Sequence, residues 1–363
     1  MAERSEHVPT LVIGGGQAGL AVAHHLRARG SECLVVEANA RVGDSWRRHW
    51  DSIRLFTPGR YDGLPGMRFP GDPRRYPGKD DMADYLEAYA AEQDLPVRLR
   101  TRVDRLGAGP DGGFVASVGT AEITCEHVVV ATGTYTGRPR VPACAAELAP
   151  GVRQLHSSEY HRPSDLLPGP ALVVGAANSG CEIAFELAAD RRVVLCGRDP
   201  GHEPFRPGTA ADRLAVPATV FVARHVATRR GPLGRRLLTF RHHGIPVGRV
   251  RAKDLRARGV EKVEARMTGV EGGMPALGDG SVHEVANVVW CTGFAPDYGW
   301  IDLPAFDDDG FPREYRGIAD DVPGLYFCGL VLQHSVASSV LPGVGRDAAF
   351  VARALTAAPE RPR

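Results

Sequence analysis

The chain has 363 residues, 43% of them hydrophobic and 24% charged, a composition that excludes disordered and fibrous proteins and leaves room for two domains. Lysine plus arginine number 44 against 43 acids, so the net charge of +1 supplies no global field for gathering nucleic acid or anionic membrane. The seven cysteines form no C-x-x-C pair or zinc-ligand spacing, Met1 to Pro9 has no apolar leader, and no apolar run approaches about 18 residues. The expectation is a cytoplasmic protein with no transmembrane segment, no metal and no nucleic-acid partner.

Thr10 to Ile13 predicts a short apolar strand running into Gly14-Gly15-Gly16-Gln17-Ala18-Gly19, after which Leu20, Val22, Ala23 and Leu26 recur at helical spacing. In a dinucleotide-binding βαβ unit the first glycine permits the tight turn. The second lets a pyrophosphate approach the backbone, and the third lets helix pack on strand. Leu34 to Val36 predicts the next strand, ending at Glu37, which is placed to accept ribose hydroxyls. Val128 to Ala131 predicts a later strand closing on Thr132-Gly133.

Pro163-Ser164-Asp165 to Pro168-Gly169-Pro170 reads as a hinge, and the pattern then returns. Ala171 to Val174 leads into Gly175-Ala176-Ala177-Asn178-Ser179-Gly180 and the helical run Ile183, Ala184, Leu187, with Ala177 in place of the middle glycine. The following strand, Val193 to Cys196, leads to Arg198. Glu37 stands 18 residues after Gly19 and Arg198 stands 18 after Gly180, so one position carries opposite charges in the two copies. An acid suits a free ribose 2′-hydroxyl and an arginine grips a 2′-phosphate, so the first site reads as built for FAD and the second for NADPH.

Between Leu214 and Val260 stand eleven Arg or Lys residues and one acid, Asp254, interleaved with apolar residues including Leu238 and Phe240. Gly231-Pro232 and Gly234 break the stretch, which reads as a solvated insertion that draws in anionic NADPH. The competing reading is a basic face for a membrane surface or an acidic partner. His242-His243 has no acid or cysteine nearby to complete a metal site. Val288 to Cys291 predicts a strand closing on Thr292-Gly293. Gly14 to Ala131 spans 117 residues and Gly175 to Cys291 spans 116, so one unit is repeated. The hinge and this return divide the chain into an FAD domain in two parts, 1–162 and 291–363, and an inserted NADPH domain, 163–290.

These residues resemble the two-dinucleotide flavoprotein superfamily and, within it, the class B flavin-dependent monooxygenases. Gly43-Asp44-Ser45-Trp46-Arg47 resembles their G-G-x-W-R segment beside the flavin. Asp51-Ser52-Ile53-Arg54-Leu55 with Leu64-Pro65-Gly66 resembles the YUCCA-like branch and its bacterial relatives, and Asn178-Ser179-Gly180 matches the N-S-G of the NADPH loop. Leu155 to Tyr160 resembles the end of the F-x-G-x-x-x-H-x-x-x-F/W signature. Pro150 and Val152 stand where its Phe and Gly would be, so only the half around His156 is intact. His156 is either part of that motif or a structural residue of the linker. Pro323 to Leu330 and Gly343 to Ala348 resemble the closing strand and final helix. Leu330 stands where disulfide reductases carry an aspartate, and a redox-active cysteine pair is also missing, which disfavours their chemistry.

The resemblance implies an α/β fold of two Rossmann-like dinucleotide-binding domains. It implies that FAD is held by Gly14, Gly16, Gln17, Ala18, Gly19, Glu37, Ser45, Trp46, Arg47, Val103, Thr132 and Asp347, and NADPH by Gly175, Asn178, Ser179, Gly180, Arg198 and Thr292. The implied activity is NADPH-dependent insertion of one oxygen of O₂ into a small organic substrate, at nitrogen, sulfur or a carbonyl, through a C4a-hydroperoxyflavin. No catalytic side chain is assigned, because the cofactor carries that chemistry. The alternatives are an NADPH dehydrogenase or oxidase without oxygen transfer, and a non-enzymatic redox-sensing flavoprotein.

Overall fold

Strands that are apolar on both faces belong in parallel sheets covered on both sides, and the computed structural model forms two of them. It describes residues 5–110, 112–133, 137–202, 206–237 and 247–357. Leu238, Phe240, His242 and His243 lie outside the described residues.

The first sheet is built on β1 (Ser5–Ile13), β2 (Leu34–Val36), β3 (Val97–Arg98) and β4 (Ala121–Val130). The second takes β5 (Arg153–His156), β6 (Ala171–Val174), β7 (Val193–Cys196), β8 (Glu261–Val263) and β9 (Asn287–Trp290). A last strand, β10 (Leu325–Phe327), returns to the first. The parallel orders are β3-β2-β1-β4-β10 and β8-β7-β6-β9-β5; four strands repeat in the same order, while the fifth comes last in the chain in one sheet (β10) and first in the other (β5). Ile13 pairs with Val36 and Val130, and Val174 pairs with Cys196 and Trp290. The repeat inferred from spacing is therefore a repeat of register.

Alternation along each strand sorts the side chains between two layers. In the first sheet Val12 and Val129 face the helices α1 (Gln17–Arg27) and α3 (Lys79–Glu92), between which the chain forms the one-turn helix α2 (Asp44–Arg47), and the C-terminal helix Leu341–Thr356. Leu11, Ile13, Val128 and Val130 face the antiparallel strands 105–108 and 114–118. In the second, Val173, Leu195 and Val289 pack on α4 (Asn178–Leu187), and Leu172, Val194 and Trp290 on the opposite layer.

One boundary differs from the sequence expectation. β5 precedes the hinge expected at 163, yet pairs with β9 from Arg153↔Asn287 to His156↔Trp290, so the second sheet begins at Arg153. The proline-rich stretch 163–170 has few N–H groups to offer a ladder. It links two strands of one sheet, anchored where Leu167 N donates to Asn287 Oδ1 (2.8 Å) and Asn287 Nδ2 to Leu167 O (2.9 Å).

The basic stretch also acquires a place. Helix α5 (Ala210–Phe221) is followed by a helical turn, Val222–Val226, that lies against the first half. Thr228 bridges to Ser335, Val336 N donates to Ala227 O (3.1 Å) and Arg229 N to His334 O (2.8 Å). Arg229 forms an ion pair with buried Glu314, and Arg346 donates to Arg224 O. No helix among the described residues is long and apolar enough to cross a membrane.

Candidate nucleotide-binding sites

Backbone crowding dictates the first loop. Gly14 has φ +110° and donates to Val36 O (2.9 Å), and a Cβ there would stand 2.6 Å from Ala131 O, the turn that leads to Thr132. A Cβ on Gly19 would stand 1.9 Å from Gly14 O, so helix and turn touch at van der Waals limit. Gly16 is the opposite case, because a Cβ there would meet nothing within 4 Å. It caps α1 with its flank toward open space, beside the unpaired N–H groups of the first helical turn, which is where an anion is favoured.

Side chains complete the rim. Glu37 is held at the loop by three donors: Gly15 N (2.8 Å) to Oε2, and Asn39 N (2.8 Å) and Nδ2 (2.7 Å) to Oε1. Thr101 N donates to Glu37 O (2.9 Å), and Val103, two residues further on, is half-buried against the cluster of Leu11 and Leu106. Trp46 Nε1 donates to Gln17 Oε1 (3.1 Å), joining the turn 43–47 to the loop, with Ser45 half-buried beside it. Buried Ala18 abuts Gly329, where an added Cβ would lie 2.9 Å away. Arg47 turns its guanidinium to Val42 O (2.8 Å), Asp44, Asp84 and Glu87, so it secures the turn to α3. Asp347 is 1% exposed; Arg346 Nε donates to Oδ1 (3.3 Å), while buried Oδ2 makes no hydrogen bond.

The second loop repeats the first atom for atom in its backbone. Gly175 has φ +109° and donates to Cys196 O (2.8 Å); a Cβ there would stand 2.3 Å from Cys291 O, and one on Gly180 1.7 Å from Gly175 O. Ala177 occupies the place of Gly16 with φ −84°, ψ −169° against −83°, −172°. Asn178 Oδ1 accepts from Gly248 N (3.1 Å), tying α4 to the later part of the basic stretch, and Ser179 is half-buried in the same turn. Arg198 is exposed at the end of β7 and makes no ion pair among the described residues, its neighbour Asp199 being taken by Lys262. The Thr292 hydroxyl donates to Arg140 O.

His156 is buried at the end of β5. Ser158 N donates to its Nδ1 (3.2 Å), so Nε2 carries the proton and donates to Gly293 O (3.1 Å), with Phe294 edge-on at 4.9 Å. Burial lowers its pKa. Its contacts fix the Thr292-Gly293 turn.

Three groups escaped the sequence reading. Glu182 on α4 is pushed up to about 7 by burial, with Arg249 Nε at 3.9 Å. Arg249 also reaches Leu55 O (3.3 Å) in the first half. Asp62 is fully buried, accepts from Thr57 Oγ1 (2.5 Å), leaves Oδ2 without a hydrogen bond, and is likewise raised by burial to about 7. An acid inside the apolar run of α4 was a readable signal for Glu182. Asp62-Gly63 reads as an ordinary turn. All seven cysteines are free, and among the described residues no three metal-ligating side chains converge.

The sequence pattern of the pyridine nucleotide-disulphide oxidoreductase family matches residues 11–209. An uncharacterized CzcO-like oxidoreductase from Geobacillus kaustophilus is 38% identical over 95% of this chain and 97% of its own length. The indole-3-pyruvate monooxygenase YUCCA1 of Oryza sativa subsp. japonica is 33% identical over 51% of this chain and 46% of its own. Among solved structures, a flavin-containing monooxygenase from Stenotrophomonas maltophilia superposes with a TM-score of 0.75 at 26% identity, covering 97% of this chain and 98% of that one.

Proposed function

Since the chain belongs to the pyridine nucleotide-disulphide oxidoreductase family and, within it, to the flavin-dependent monooxygenases, we propose that it is an FAD-containing, NADPH-dependent monooxygenase that inserts one oxygen of O₂ into a small organic substrate. The observation that carries this reading is the duplicated loop ending in opposite charges, Glu37 in one copy and Arg198 in the other.

The residues fit both groups. At the first loop the open flank of Gly16 leaves room for a pyrophosphate, Glu37 is fixed by three donors and would accept ribose hydroxyls, and the unpaired Oδ2 of Asp347 is a buried acceptor that a donor of the cofactor would satisfy. At the second, Arg198 is free to fork a 2′-phosphate. Bound together, FAD and NADPH supply two-electron transfer and the reduction of O₂ that oxygenation requires. The chain's part is to bind, orient and exclude water. Trp46 and Gln17 wall the first loop, while His156 and Thr292 hold the turn that faces the second. The Arg249 contacts to Glu182 and Leu55 set one half against the other.

The test is stoichiometric. With ¹⁸O₂ and a panel of amines, thioethers and ketones, the reading expects a product one labelled oxygen heavier, formed in proportion to NADPH consumed. Hydrogen peroxide equal to NADPH with every acceptor would instead make the protein an oxidase or dehydrogenase.

A further inference from the structure

Between the segment 58–76 of the first half and α5 of the inserted half lies a cavity of about 340 Å³, within the size range of small-molecule sites. Arg60, Arg74 and Arg213 line it, with Tyr76, Asp212 and Val216 in the wall. Asp212 is the one acid among these lining residues and is already engaged. Its Oδ2 accepts from Tyr76 Oη (2.7 Å) and from Gly208 N (2.8 Å), a contact that joins the two halves across the cavity floor. Among the described residues none of the three guanidiniums makes an ion pair, and that of Arg60 lies over the Tyr61 ring, 4.9 Å from its centre. Three cations around one concave space repel one another, and low-dielectric walls concentrate their field there, so an anion is the species that relieves the arrangement.

We propose that this cavity binds a small organic anion, a carboxylate or phosphate monoester whose apolar body lies against Tyr76 and Val216. The site is separate from the 2′-phosphate position, because Arg198 is not among its lining residues. It goes beyond the oxidoreductase reading, since its occupancy needs no turnover. Its walls come from both halves, so a bound anion bridges them where Tyr76 already meets Asp212.

Calorimetric titration of the flavin-loaded protein in saturating NADP⁺ tests this, with phenylacetate, phenyl phosphate and neutral phenylacetamide as probes. The expected result is one-to-one binding of at least one acid, with the amide at least about tenfold weaker, and a loss of about tenfold in Arg60→Gln and in Arg213→Gln. Both residues are exposed, so retained flavin absorbance shows that these variants fold. Preference for phenylacetate assigns a carboxylate, and preference for phenyl phosphate a phosphate. Three results would overturn the proposal: no acid binding up to about 10 mM, an amide that binds as tightly as the acids, or acid affinity indifferent to Arg60 and Arg213. None of these would touch the monooxygenase reading, which the labelled-oxygen experiment decides separately.

Discussion

Gly16 and Gly19 stand in one loop and separate binding from folding. A valine at Gly16 meets no protein atom where its Cβ would sit, so Gly16→Val should purify folded, with unchanged circular dichroism, and colourless after FAD is added. Gly19→Ala drives a methyl into Gly14 O and should fold poorly, whatever the flavin supply. Arg198→Ala should raise the NADPH KM by about one to two decades while leaving the NADH value alone, the magnitude of a charge-assisted contact. Equal ratios in variant and parent would remove Arg198 as the selector. Asp62 makes a prediction in pH. Its folded pKa, about 7, lies above the ordinary carboxylate value, so the stability it allows is complete below that ordinary value and is lost as pH rises through 7. Asp62→Asn should therefore gain stability over the parent between pH 5 and 8, by roughly 2 to 3 kcal/mol across that window, read by urea unfolding. A gain equal at both pH values would contradict the assignment.

At the scale of elements, the two glycine loops were legible because their constraint is local. Gly14 and Gly19, like Gly175 and Gly180, are imposed by a carbonyl five residues away or by the neighbouring strand, and sequence records that directly. What was not legible depends on distant partners. The membership of β5 in the second sheet follows from pairing with β9. The guanidinium of Arg47 reads as a flavin neighbour, whereas the fold turns it to Asp84 and Glu87 of α3, a helix whose acids offer no hint of that role alone. The basic stretch likewise reads as solvated until Arg229 is seen against Glu314, whose side chain is 1% exposed and also accepts from Gly317 N (2.6 Å). Arg229→Ala removes the cation that balances this buried carboxylate and should cost about 2 to 4 kcal/mol in denaturant unfolding. Adding Glu314→Gln should recover more than half. Full additivity of the two would show that the pair carries no coupling.

For the molecule as a whole, the stretch from Arg206 to Arg258 belongs by sequence to the second half, but its described residues are fastened to the first in three places. Tyr76 holds Asp212, Arg249 reaches Leu55 O, and the segment Arg224 to Arg229 is bound to Glu314, His334, Val336 and Arg346. Trp50 and Ile53 of the first half also pack in the core of the second. A chain assembled from two copies of one module would ordinarily be free to lose them one at a time. Here neither copy retains its own boundary, since each has lent a piece to its neighbour. Heating should accordingly give a single endotherm whose van 't Hoff enthalpy matches the calorimetric one, with no interval in which one copy survives the other. Two resolved endotherms would mean that the duplicated modules still behave as separate folding units, joined only by their chain.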